Sequence, residues 1–84
     1  MNRKQEQIVA DIFTKPTRAA IGFAELEKLV AGLGGEIIEG NGSRVKMVLN
    51  GAEFYAHRPH PQKEAKKYQV EAFRDFLEAA GIKQ

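Results

Sequence analysis

The chain has 84 residues, 43% of them hydrophobic and 29% charged, with a formal charge of +2 and no cysteine. That length supports one domain with one modest core and excludes a second. The lack of cysteine excludes a disulfide framework, a cysteine-ligated zinc ribbon and a thiol nucleophile, and the lack of a long apolar run excludes a membrane-spanning helix.

The first residues, Met1 to Gln7, carry charge but lead into no apolar stretch of signal-peptide length, so the expected location is the cytoplasm. Over residues 4–13, Ile8, Val9, Ile12 and Phe13 make a short helical stripe that Pro16 brings to an end. From Phe23, the spacing Leu26, Leu29, Val30, Leu33 predicts a second helix, with Gly34-Gly35 as its left-handed exit. Ile37-Ile38 predicts a brief first strand closed by Gly40-Asn41-Gly42. Two further strands, about Ser43–Leu49 and Ala52–His57, are joined by Asn50-Gly51, a pair suited to a type I′ turn. Counting outward from that turn pairs Leu49 with Ala52, Met47 with Phe54 and Val45 with Ala56 on an apolar face. The opposite face then pairs Val48 with Glu53, Lys46 with Tyr55 and Arg44 with His57. After Pro61, a basic run opens a last helix whose face is Val70, Phe73, Phe76, Leu77 and Ala80, ended by Gly81 with Ile82 folding back. The predicted class is α+β, ααβββα, with the apolar sheet face packed on helices.

Charge is segregated along this order. Between Ser43 and Gln69 lie six Lys or Arg against two acids, while the remainder holds seven basic and nine acidic side chains. A local positive field of that kind attracts a polyanion. His57 and His60 are the two side chains whose ordinary titration range lies near neutrality, so general acid or base work falls to them. RNA supplies its own nucleophile: a base removes the ribose 2′-OH proton, the oxygen attacks the adjacent phosphate, and cations stabilise the developing charge. Arg44, Arg58, Lys63 and Lys67 are the candidate cations, and Tyr55 is a candidate base-stacking ring or simply a sheet cover. His57-x-x-His60 offers two nitrogens with no convincing third ligand, so no metal site is expected and no cofactor is called for. Gly40 and Gly42 lack the Lys-Ser/Thr of a phosphate loop, and Ser43 lacks a base at recognisable sequence spacing, so a serine nucleophile is not expected.

The Leu26 to Leu33 helix, Gly42-Ser43 opening a strand, the hairpin, Pro59-His60-Pro61, Lys63-Glu64-Ala65-Lys66-Lys67 and the closing Ala79-Ala80-Gly81-Ile82 together resemble the HicA family of toxins from toxin-antitoxin pairs. The resemblance covers about residues 24–82, which divides the chain into an N-terminal helical extension, 1–22, and a HicA-like domain, 23–84. It implies a fold similar to double-stranded RNA-binding domains, αβββα, with a three-stranded antiparallel sheet and helices on one face. It also implies mRNA cleavage, a metal-independent endoribonuclease activity, and a HicB-type antitoxin as partner beside RNA. Family members usually carry the histidine taken to be catalytic directly after the Gly-Ser pair, where this chain has Arg44. An arginine stays protonated and clamps phosphate. The base is then expected to be His57 across the hairpin, with Arg44 as its electrostatic partner and His60 nearby. Ser43, Lys46, Tyr55, Arg58, Lys63, Lys66 and Lys67 complete the expected RNA-binding set. The alternatives are a non-catalytic RNA-binding module, since the lysine run also resembles the basic helix start of double-stranded RNA binders, and a docking protein for an antitoxin.

Overall fold

The computed structural model describes residues 1–84 and orders them as α1 (Arg3–Phe13), α2 (Phe23–Gly32), β1 (Glu36–Glu39), β2 (Arg44–Leu49), β3 (Ala52–His57) and α3 (Lys67–Ala79). The strands form one antiparallel sheet in the order β1-β2-β3. Asn50 and Gly51 take φ of 49° and 84°, the positive pair a type I′ turn requires. All pairings counted from that turn are present, from Leu49 opposite Ala52 to Arg44 opposite His57.

Alternation along the strands then decides what each face does. Val45, Met47, Leu49 and Phe54 point inward and are buried, against Leu26, Leu29 and Val30 of α2 and Val70, Phe73, Phe76 and Leu77 of α3. Phe73 is fully buried, with its ring edge-on to Phe54 at 5.3 Å between centroids and 5.4 Å from Phe76. Such aromatic pairs add about 0.5–1.5 kcal/mol beyond the area they bury. Glu36, Ile38, Arg44, Lys46, Val48, Glu53, Tyr55 and His57 share the outer face, which no helix covers. The architecture is therefore α+β, a three-stranded sheet with helices on one side, in the αβββα arrangement of double-stranded RNA-binding domains plus one added helix. None of its helices is long and apolar enough to cross a membrane.

Both predicted glycine exits are used. Gly34 and Gly81 adopt positive φ, and each helix closes with a paired backbone motif: Gly35 N–H donates to the Val30 carbonyl at 2.8 Å, Ile82 N–H to that of Leu77 at 2.8 Å. The Asn50 side-chain amide also donates to the Ala80 carbonyl at 2.9 Å, so the hairpin turn caps α3.

α1 lies across α2 and α3 and touches no strand. It buries Val9 and Ile12. Arg74 of α3 donates through Nε to the Ile12 carbonyl at 2.9 Å and through Nη2 to Thr17 Oγ1 at 3.1 Å, placing a cation at the carbonyl end of α1. Asn2 and Gln5 exchange side-chain and backbone hydrogen bonds at the other end, at 2.8 and 2.9 Å.

One element differs from expectation. The run Lys63-Glu64-Ala65-Lys66 is not the first turn of the last helix, which starts at Lys67. It is extended and antiparallel to the chain around Gly22: Phe23 N–H donates to the Lys63 carbonyl at 2.9 Å and Ala65 N–H to the Ile21 carbonyl at 2.7 Å. Ala65 and Ile21 are both buried there, a gain that a helical start would forgo.

Candidate functional site

The chemistry-bearing residues gather at the end of the sheet farthest from the Asn50-Gly51 turn. Because β2 enters and β3 leaves at this end, Arg44 and His57 stand directly opposite, both exposed on the outer face. Ser43 belongs to the turn before β2 and not to the strand itself, so strict alternation does not bind it. Its Oγ lies 3.2 Å from His57 Nδ1. The fold thus gives Ser43 an imidazole partner that no sequence spacing marks. No carboxylate bonds to the far side of that ring, so no Ser-His-acid relay is assembled.

Gln69 connects this end of the sheet to the lysines. It is the one buried polar side chain, sitting on the apolar stripe of α3. Its Nε2 donates to the His57 carbonyl at 2.9 Å and its Oε1 accepts from Lys66 N–H at 2.9 Å. A buried amide with both ends satisfied is a rigid strut. It fixes His57 against the start of α3, where Lys66 and Lys67 are exposed and ion-pair with nothing. Lys63 and Arg44 are likewise exposed and unpaired. No acidic residue occupies the first turn of α3, so lysines stand at the positive end of its macrodipole, a placement that disfavours the helix unless an anion arrives.

The other expected residues are placed differently. His60 is exposed in the loop and bonds to none of Ser43, Arg44 or His57. Lys46, mid-sheet, forms a 3.0 Å ion pair with Glu53 and lies 5.5 Å from the centre of the Tyr55 ring. The Tyr55 hydroxyl donates to Glu53 at 2.9 Å, and the residue is 67% exposed. Hydrogen bonds from Lys46 and then Tyr55 hold the Glu53 carboxyl below the usual carboxylate range, and Glu53 in turn raises the Lys46 ammonium. Arg58 turns to the helix side, where Glu27 and Glu39 take up its guanidinium. Shallow clefts flank Arg44: one is lined by Val45, Tyr55, Ala56 and His57, the other by Ile38, Gly40, Lys46 and Tyr55.

Sequence reasoning missed Gln69, Glu27 and Glu39. A glutamine in register with Phe73 and Phe76 on an apolar stripe is a readable signal for a buried strut, whereas nothing local marks either glutamate.

A family model described as "HicA toxin of bacterial toxin-antitoxin" matches residues 23–82. No curated protein and no solved structure gives a match.

Proposed function

This chain belongs to the HicA family of toxins of bacterial toxin-antitoxin systems, which implies an antitoxin partner, and from that premise we propose that it binds and cleaves single-stranded mRNA in the cytoplasm, without a metal, until a HicB-type antitoxin neutralises it. The observation that carries this reading is the exposed Arg44–His57 pair, with Ser43 Oγ 3.2 Å from the imidazole and Gln69 tying that pair to the unpaired lysines.

In the chemistry we assign, His57 Nδ1–H donates to Ser43 Oγ, which leaves Nε2 unprotonated and facing solvent as the base. Nε2 takes the proton of a ribose 2′-OH, and that oxygen attacks the neighbouring phosphorus. The Arg44 guanidinium faces the non-bridging oxygens, where charge develops. The bond to the 5′-oxygen breaks, and that oxygen takes a proton from His60, the second exposed imidazole of the same segment. The products are a 2′,3′-cyclic phosphate and a 5′-hydroxyl. Lys63, Lys66 and Lys67 hold the adjoining phosphates, and the Tyr55 ring offers a base a stacking surface.

Purified protein incubated with single-stranded RNA tests the reading. Expected are fragments ending in cyclic phosphate, while a strand with 2′-deoxyribose at the cut position stays whole. With four unpaired cations in the track, log affinity should fall against log salt with a slope of about −3 for a single strand. Replacing Lys63 or Lys67 with glutamine should reduce that slope by about 0.7, and Lys46→Gln should leave it unchanged because Glu53 already pairs that charge.

A second reading, a non-catalytic RNA binder, is favoured by one observation: the position where the family usually carries its histidine holds Arg44. It predicts the same salt slope with intact RNA. Arg44→His separates the two. A rate within a few-fold of the parent fits a base at His57, whereas the appearance of cleavage where the parent had none would make the natural chain a binder.

A further inference from the structure

Arg58 follows His57 directly and by sequence is one more cation of the RNA-facing patch. Its surroundings give it another task. Nε and Nη2 donate to Glu27 Oε2 at 3.1 and 2.6 Å, and Nη1 and Nη2 donate to the two oxygens of Glu39 at 2.6 and 2.7 Å. Glu27 belongs to α2 and Glu39 is the last residue of β1, so one planar fork joins a helix and two strand ends. A phosphate brought to this guanidinium would meet two carboxylates.

The backbone closes the circuit. Arg58 N–H donates to the Ser43 carbonyl at 2.9 Å, one step past the Arg44–His57 pair. Gly40, next to Glu39, donates its N–H to the Arg44 carbonyl at 2.9 Å. Both carbonyls of the Ser43-Arg44 segment are therefore gripped, one by Arg58 itself and one by the neighbour of the carboxylate that Arg58 holds. Without the fork, those grips would be joined only through the sheet ladder. Resting on the ribonuclease reading above, we infer that Arg58 is a positioning residue: its bridge to Glu27 and Glu39 locks the ring of contacts that keeps Ser43, Arg44 and His57 in their mutual arrangement, and it touches no RNA.

The chemistry of the pair supports this. Hydrogen bonds from Glu39 and then Glu27 raise the Arg58 guanidinium still further above neutrality, while Arg58 holds the Glu39 carboxyl below its ordinary range. The Arg58–Glu39 arm of the clamp thus stays charged under acidic conditions in which an unpaired carboxylate would already be protonating. Lysine, a single ammonium without the planar fork, does not reproduce a bidentate grip on one carboxylate together with a bond to the next.

The test compares Arg58→Ala, Arg58→Lys and Glu39→Gln with Arg44→Ala in the full chain, well below each melting midpoint. For single-stranded RNA, Arg58→Ala is expected to lower kcat by about ten- to a hundredfold while leaving KM and the salt slope unchanged. Arg58→Lys and Glu39→Gln should give partial losses of the same kind, and Arg44→Ala should reduce the slope. Amide exchange at Gly40, whose N–H grips the Arg44 carbonyl, should speed up in Arg58→Ala. Should the parent chain bind RNA without cutting it, the ribonuclease reading fails, and this inference is judged by exchange and salt slope alone. An Arg58→Ala variant that loses salt slope as Arg44→Ala does would make Arg58 a phosphate ligand. One that changes neither kcat nor exchange would remove its positioning role. Either result overturns the inference.

Discussion

His57→Ala is expected to slow RNA cleavage by about 10²–10⁴-fold, the range removal of a positioned general base commonly costs, with RNA affinity little changed. The variant is a clean test because the fold uses the backbone of this residue and not its ring. The His57 carbonyl, not the imidazole, accepts from Gln69, and the ladder with β2 is made by main-chain groups. What alanine removes is the nitrogen facing Ser43 Oγ and the nitrogen facing solvent. The unpaired cations Arg44, Lys63, Lys66 and Lys67 stay, so the salt slope should be that of the parent. A rate assay that follows cyclic-phosphate ends, paired with a binding titration on uncleavable 2′-deoxy strand, reads both quantities. Equal rates in parent and variant would move the base elsewhere, with His60 the remaining imidazole.

How far the sequence could be read depended on the range of the interactions involved. Register was legible because Asn50-Gly51 restricts the hairpin to one count, and a strand's period of two carries that count to Arg44 and His57 without further information. Helix faces and exits were legible for the same reason: a period and a glycine are local. The Ser43–His57 contact was not, since it depends on the strand starting at Arg44 and leaving Ser43 free of alternation. The extended course of Lys63 to Lys66 was not legible either, because it is stabilised by pairing with a segment some forty residues earlier, around Gly22. The Arg58 clamp combines both difficulties, joining α2, β1 and β3 through side chains whose partners no local pattern announces. Charge counting alone put Arg58 and Lys46 in the same class as Arg44 and Lys67, and the fold separates them by supplying carboxylates to the first two only.

Residues ahead of the family match are expected to be needed for stability and not for chemistry. Ile12→Ala should destabilise the chain by about 2–5 kcal/mol, the range for emptying a fully buried aliphatic site. In a domain of this size each kcal/mol lowers the melting midpoint by about 4–8 °C, so the shift is easily read by thermal or urea unfolding. The reason lies in where α1 sits. Val9 and Ile12 are buried where α1 packs on α2 and α3, and Arg74 crosses from α3 to hold the Ile12 carbonyl. Shaving Ile12 leaves a cavity beneath α1, while the outer sheet face is untouched because α1 contacts no strand. RNA cleavage measured well below the lowered midpoint should then match the parent. An unchanged midpoint would mean that α1 is a detachable appendage, and a lost rate in a fully folded variant would mean that the N-terminal helix reaches the site by a route other than packing.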